Sequence, residues 1–158
     1  MRQPALVPEL MVTDLRRSLA FWCGPCGFSV LYGRPEDGFA CIERSGSRIM
    51  LDELPRDRPH RWQVAETQPP FGRHVNFEMA VQAVEPILSA LAALGWPLFM
   101  PPEVRRYRVG AGSVTVRQFL VQDPDGYLIP AALELDLSPG TGGDGGDLLW
   151  SAHQRVPG

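Results

Sequence analysis

The chain has 158 residues, enough for one domain with a real core, and its 44% apolar and 21% charged residues are ordinary for a globular protein. A formal net charge of -3 argues against non-specific nucleic-acid binding and is compatible with a cationic ligand. No apolar run approaches the roughly 20 residues that span a bilayer, the opening Met1-Arg2-Gln3-Pro4-Ala5 lacks a signal-peptide core, and three cysteines do not suggest a secreted disulfide framework, so the cytoplasm is the expected compartment.

Residues 6–12 read as a strand in which Leu6, Leu10 and Val12 face a helix and Val7, Glu9 and Met11 face away from it. Pro8 cannot donate to a ladder, so this strand belongs at an edge or leaves its sheet. Thr13 or Asp14 supplies the oxygen that caps a helix, whose stripe is Leu15, Ser18, Leu19, Phe21 and Trp22. Strands are expected over 28–32, 39–44 and 48–53, with Pro35-Glu36-Asp37-Gly38 and Ser45-Gly46 as turns. This half reads β-α-β-β-β.

A connection rich in Pro and charge covers 55–72, and then the order recurs. Residues 74–79 read as a strand with Val75, Phe77 and Met79 turned to the core. Residues 84–94 read as a helix ending at Gly95, and 96–100 as a short strand. An irregular basic segment, 101–112, precedes strands over 113–122 and 127–135, which are joined by Asp123-Pro124-Asp125-Gly126. The chain is therefore expected to hold two tandem β-α-β-β-β modules, about 5–54 and 73–136, in one α+β domain spanning 1–137. Neither half alone could bury its sheet. Five glycines between Pro139 and Gly146 mark residues 138–158 as a flexible tail, whose Leu148-Leu149-Trp150 could dock on the domain or a partner.

Three stretches of this pattern resemble the glyoxalase/bleomycin-resistance/dioxygenase (vicinal-oxygen-chelate) superfamily. They are the strand-to-helix segment from Val12-Thr13-Asp14-Leu15 to Phe21-Trp22, the turn at Gly27-Phe28, and Asp123-Pro124-Asp125-Gly126-Tyr127 before the last strand. The resemblance implies a curved, incompletely closed barrel-like sheet with its helices outside. It also implies four metal-ligand positions, which fall here on Val7, Met50, His74 and Pro130. Only His74 among them is a hard-cation ligand, so no metal and no other cofactor is expected. Val7-Pro8-Glu9-Leu10, Phe21-Trp22 and Gly38-Phe39-Ala40 resemble the bleomycin-resistance branch in particular. That likeness implies a homodimer with an exchanged N-terminal strand, whose crevices sequester an antibiotic of the bleomycin-like glycopeptide kind.

Strand alternation names the side chains that would line such a crevice. Met50 and Asp52 lie on the face away from the helix, as do His74, Asn76 and Glu78, and Phe39 sits where the branch sets an aromatic against its ligand. Trp62, Phe71 and Tyr107 fall in irregular segments that could cap it. The surface suits an amphipathic, partly aromatic small molecule. A structural hydrogen bond accounts equally well for His74, and a solvated dimer interface for Asp52, Asn76 and Glu78. Arg105, Arg106 and Arg108 read as a solvated loop.

Trp22-Cys23-Gly24-Pro25-Cys26 spells a thioredoxin active site. That chemistry needs the first cysteine at a helix N-terminus, where free N–H groups stabilise a thiolate. Here an amphipathic helix lies upstream and a strand downstream, which puts both cysteines at the wrong end of the dipole. The leading reading is therefore a binding protein without catalysis. The alternatives are a metal-dependent lyase or dioxygenase with a shifted site, and a thiol oxidoreductase acting through Cys23 and Cys26.

Overall fold

A computed structural model describes residues 4–54 and 68–138. The first module comprises β1 (Glu9–Val12), α1 (Leu15–Cys23), β2 (Ser29–Arg34), β3 (Phe39–Arg44) and β4 (Ser47–Glu53). The second comprises β5 (Met79–Ala80), α2 (Glu85–Ala93), β6 (Leu98–Val109), β7 (Gly112–Gln122) and β8 (Leu128–Ser138). Each module forms a mixed four-stranded sheet of the same order, β1-β4-β3-β2 and β5-β8-β7-β6. In each the first strand runs parallel to the last and the other pairs are antiparallel. The duplication legible in the sequence is thus a duplication of topology, and neither sheet closes into a barrel. Pro8 lies at the entry to the edge strand β1, where its missing N–H is harmless and its carbonyl still accepts from the Met50 N–H at 2.9 Å.

The cap of α1 is Asp14, whose carboxylate accepts from the Arg17 N–H at 2.9 Å. Its buried stripe is Leu15, Ser18, Phe21 and Trp22, and Gly24-Pro25 ends it. Leu10, Val12, Ile42, Ile49 and Leu51 from the first sheet share one apolar cluster with Phe119, Val121, Ile129 and Ala131 from the second. Both sheets therefore turn their helix-side faces into a common core. Each fully buried aliphatic side chain there stabilises the fold by roughly 1.5–3 kcal/mol.

A polar latch joins the modules beside this core. Asp125, buried in the turn before β8, accepts from the Thr13 N–H at 3.1 Å, the Thr13 hydroxyl at 2.6 Å and the Ser18 hydroxyl at 3.2 Å. Asp123 accepts from the Trp22 indole N–H at 3.3 Å and from the backbone N–H groups of Asp125 and Tyr127 at 2.9 Å each. Tyr127 returns its hydroxyl proton to the Met11 carbonyl at 3.1 Å. The sequence reading treats Asp123 to Gly126 only as a turn and Ser18 only as part of a stripe. Their joint role depends on contacts more than 100 residues apart.

Several local expectations need correction. Leu6 does not face a helix: it is 84% exposed and precedes β1. The strand expected over 74–79 shrinks to Met79–Ala80 plus an isolated bridge from Asn76 to Leu128, and Val75 is half exposed rather than core. Phe71 does not stand over the open face but packs against the core cluster. The segment 101–112 is not irregular. It continues β6, and the Pro101-Pro102 pair is absorbed where the register with β7 shifts, on an edge strand whose outer N–H groups need no partner. Finally, β8 runs through Ser138, the first residue of the expected tail; the rest of that segment, Leu148 to Trp150 included, lies outside the described residues.

Candidate functional site

The face of the first sheet opposite the core gathers a compact set of side chains, because cross-strand partners share a face. Phe39 stands opposite Asp52, Cys41 opposite Met50, and Glu43 opposite Arg48. On the outer side Tyr32 pairs with Cys41 and Arg34 with Phe39. On the other side Glu9 and Met11 flank Met50 and Asp52. Three of the expected site residues, Phe39, Met50 and Asp52, are thus brought together.

Phe39 is only 7% exposed, because the Arg34 guanidinium carbon lies 4.1 Å from its ring centroid. Asp37 holds that guanidinium through Nε at 3.2 Å. The Tyr32 ring lies 6.1 Å from Phe39, tilted by 32°. A hydrogen bond with the Cys41 thiol raises the Tyr32 phenol above its ordinary pKa. Tyr32, Arg34 and Cys41 escape the sequence reading, although the alternation of residues 29–34 opposite 39–44 could have placed the first two beside Phe39.

The other expected residues are distributed differently. His74 sits in an exposed turn with φ at 62°, five residues before β5; Asn76 bridges to Leu128, and Glu78 is exposed just ahead of β5. Tyr107 lies on β6, eight residues beyond Phe99, which at roughly 3.3 Å per residue is about 25 Å along the strand. There its hydroxyl accepts from the Gln118 amide at 2.6 Å, and the same amide reaches Glu103 at 3.1 Å. Tyr107 therefore stands far from the His74 turn rather than over it. Trp62 lies outside the described residues.

The four metal positions implied by the sequence resemblance do not fit a hard divalent cation. Val7 and Pro130 carry no donor atom in their side chains, and Met50 offers only a soft thioether. His74 is held in a turn rather than on a strand. Among the described residues no three His, Cys, Asp or Glu side chains converge as a metal site requires.

The architecture has clear counterparts among solved structures. TioX from Micromonospora sp. ML1 matches with a TM-score of 0.60 at 22% identity, over 84% of this chain and 99% of that one. A glyoxalase/bleomycin resistance protein/dioxygenase from Alicyclobacillus acidocaldarius matches at 0.55 and 16%, over 86% and 96%. The chain has the glyoxalase/bleomycin-resistance/dioxygenase fold. A lactoylglutathione lyase from Agrobacterium tumefaciens shares the fold as well, at 0.52 and 15%, over 84% and 96%. No protein-family profile and no curated protein matches the sequence. Because this fold hosts unrelated chemistries, the site itself must carry the functional argument.

The Cys-Gly-Pro-Cys motif is inserted into this fold at the end of α1, not at a helix start. Cys23 is the last helical residue, and Cys26 lies beyond the Gly24 cap. Burial pushes the Cys26 thiol up to about 12, against a smaller opposing pull from Arg44, and burial also raises Cys23. All three cysteines are free thiols. A low-pKa nucleophile is the opposite of what this environment makes.

Proposed function

We propose that the chain is a binding protein that sequesters an amphipathic, partly aromatic antibiotic of the bleomycin-like glycopeptide kind in a crevice of a homodimer. What carries the reading is the open face of the first sheet, where the stacked Arg34–Phe39 pair, Tyr32, Met50 and Asp52 offer aromatic, thioether and charged contacts side by side. Such a mixture holds a ligand with flat rings and cationic groups and needs no metal. His74, Asn76 and Glu78 of the second module are the further contacts proposed for this crevice, and Tyr107 and Trp62 for its rim.

Calorimetric titration of the purified chain with bleomycin tests the proposal. Saturable binding that Met50→Lys abolishes is expected, with the drug recovered chemically unchanged. Chemical conversion of the drug supports the lyase or dioxygenase alternative, and no binding of bleomycin at all removes the glycopeptide assignment.

A further inference from the structure

A second concavity lies in the second module, between the turn at residues 70–76 and the ends of β6, β7 and β8. It is a recess open to solvent with a volume of about 410 Å³, within the size range of small-molecule sites. We propose that this recess binds a small aromatic carboxylate. The recess needs only one chain; it shares His74 and Asn76 with the residues proposed for the crevice, whereas Arg73, Phe99 and Gln122 belong to the recess alone.

The walls of the recess are fixed by close backbone approach. A Cβ on Gly72 would lie 2.5 Å from the Tyr127 Cα, and a Cβ on Gly126 would lie 2.5 Å from the Pro70 Cβ. Gly126 also has φ at 87°, which a side chain disfavours. The Phe71 N–H donates to the Asp125 carbonyl at 2.9 Å, which ties the turn to the latch between the modules. The floor is therefore preformed, and little ordering is left for a ligand to induce.

Among the described residues Arg73 and His74 line the recess and no carboxylate does. Arg73 donates through Nε to the Pro70 carbonyl at 3.2 Å, which orients the guanidinium and leaves its two terminal nitrogens without a partner among the described residues. The side chains of His74, Asn76 and Gln122 likewise make no hydrogen bond to any described residue. His74 is one of two non-glycine residues with positive φ among the described residues, a backbone conformation uncommon outside glycine. Beside these polar groups stand Val75, Leu128 and Phe99, and Phe99 is 61% exposed, far more than an aromatic without a partner ordinarily is. A planar anion held by the guanidinium, joined to a ring lying on Phe99 and Leu128, satisfies both halves of this surface.

The test uses 2-naphthoate, titrated into the full chain by calorimetry. Uncharged 2-naphthamide and inorganic phosphate serve as the ring without the charge and the anion without the ring. Naphthoate is expected to bind saturably, the amide about tenfold more weakly or worse, and phosphate to compete poorly. Arg73→Gln and Phe99→Ala are each expected to weaken naphthoate about tenfold and to leave bleomycin binding as it was. Both side chains are exposed, and an unchanged melting temperature shows that the variants keep the fold. The proposal is overturned if the amide binds as well as the acid, if phosphate competes as well as naphthoate, or if neither substitution alters naphthoate affinity. Absence of bleomycin binding in the native chain, with naphthoate bound, counts against the crevice alone.

Discussion

Asp123 sits where burial makes charge costly. Burial is the largest influence on it and pushes its carboxyl up to about 6, against the pull of the N–H donors of Tyr127, Asp125 and Trp22. A raised carboxyl means that the folded state holds its proton at a pH where the unfolded chain has released it. Stability from this group is therefore greatest below about pH 4 and falls as pH rises to about 6, by up to roughly 3 kcal/mol. Urea unfolding of Asp123→Asn at pH 4.5 and 7 should show a flatter dependence than the native chain. An unchanged slope would mean that the three donors keep Asp123 ionised throughout. Asp125, two residues on, makes a sharper case. Asp125→Ala strands the Thr13 and Ser18 donors and should cost about 3 kcal/mol or more, read as a lower urea midpoint. A cost under 1 kcal/mol would remove the latch from the account of stability. Neither role could be assigned from the motif, since a turn signature says nothing of what the turn's carboxylates touch.

At the scale of elements, alternation serves well where a strand lies flat on the core. Ile49 and Leu51 in β4, and Ile129 and Ala131 in β8, are buried as their parity demands. It breaks where the backbone departs from the pleat. A bulge in β8 leaves Glu134 opposite Val116 but Leu137 opposite Val114, so Leu137 shares the face of Glu134 despite its odd spacing. The same blindness hid the continuation of β6 beyond Met100, because two prolines suggest an interruption unless the strand is known to be an edge. The end of α1 was legible, since Gly24-Pro25 must stop a helix. That placement predicts inert thiols. Native protein should react with a thiol reagent at Cys23 at most, and should not reduce insulin. Insulin reduction that disappears in Cys23→Ser would contradict both the placement and the raised pKa values.

For the whole molecule, no other described element covers the faces of the two sheets opposite the common core, and Tyr32 and Leu137 are among their exposed apolar residues. Partly apolar sheet faces favour a second copy. Within the chain β1 pairs with its own β4, in the register Glu9 to Met50. An exchanged dimer would keep this ladder and draw β1 from the partner, with Pro8 near the crossing. Light scattering at micromolar concentration should report a dimer. Pro8→Gly should weaken dimerisation and bleomycin binding together, by relaxing the entry to β1. A dimer untouched by Pro8→Gly would leave the exchange without support, and a monomer would remove the shared crevice.

The sequence by itself determined the two modules, the order of their elements, and the core side of most strands. Hydrophobic period, caps and turn residues are local properties, and they occur twice. It also determined that Val7, Met50 and Pro130 offer no ligand to a hard cation, since donor chemistry belongs to the residue type. Tertiary structure alone decided that Asp123 and Asp125 join the modules, that Arg34 covers Phe39, and that His74 turns away from a strand to line a recess with Arg73 and Phe99. Each of these depends on which distant segments approach within a few ångströms, and no local pattern encodes that distance.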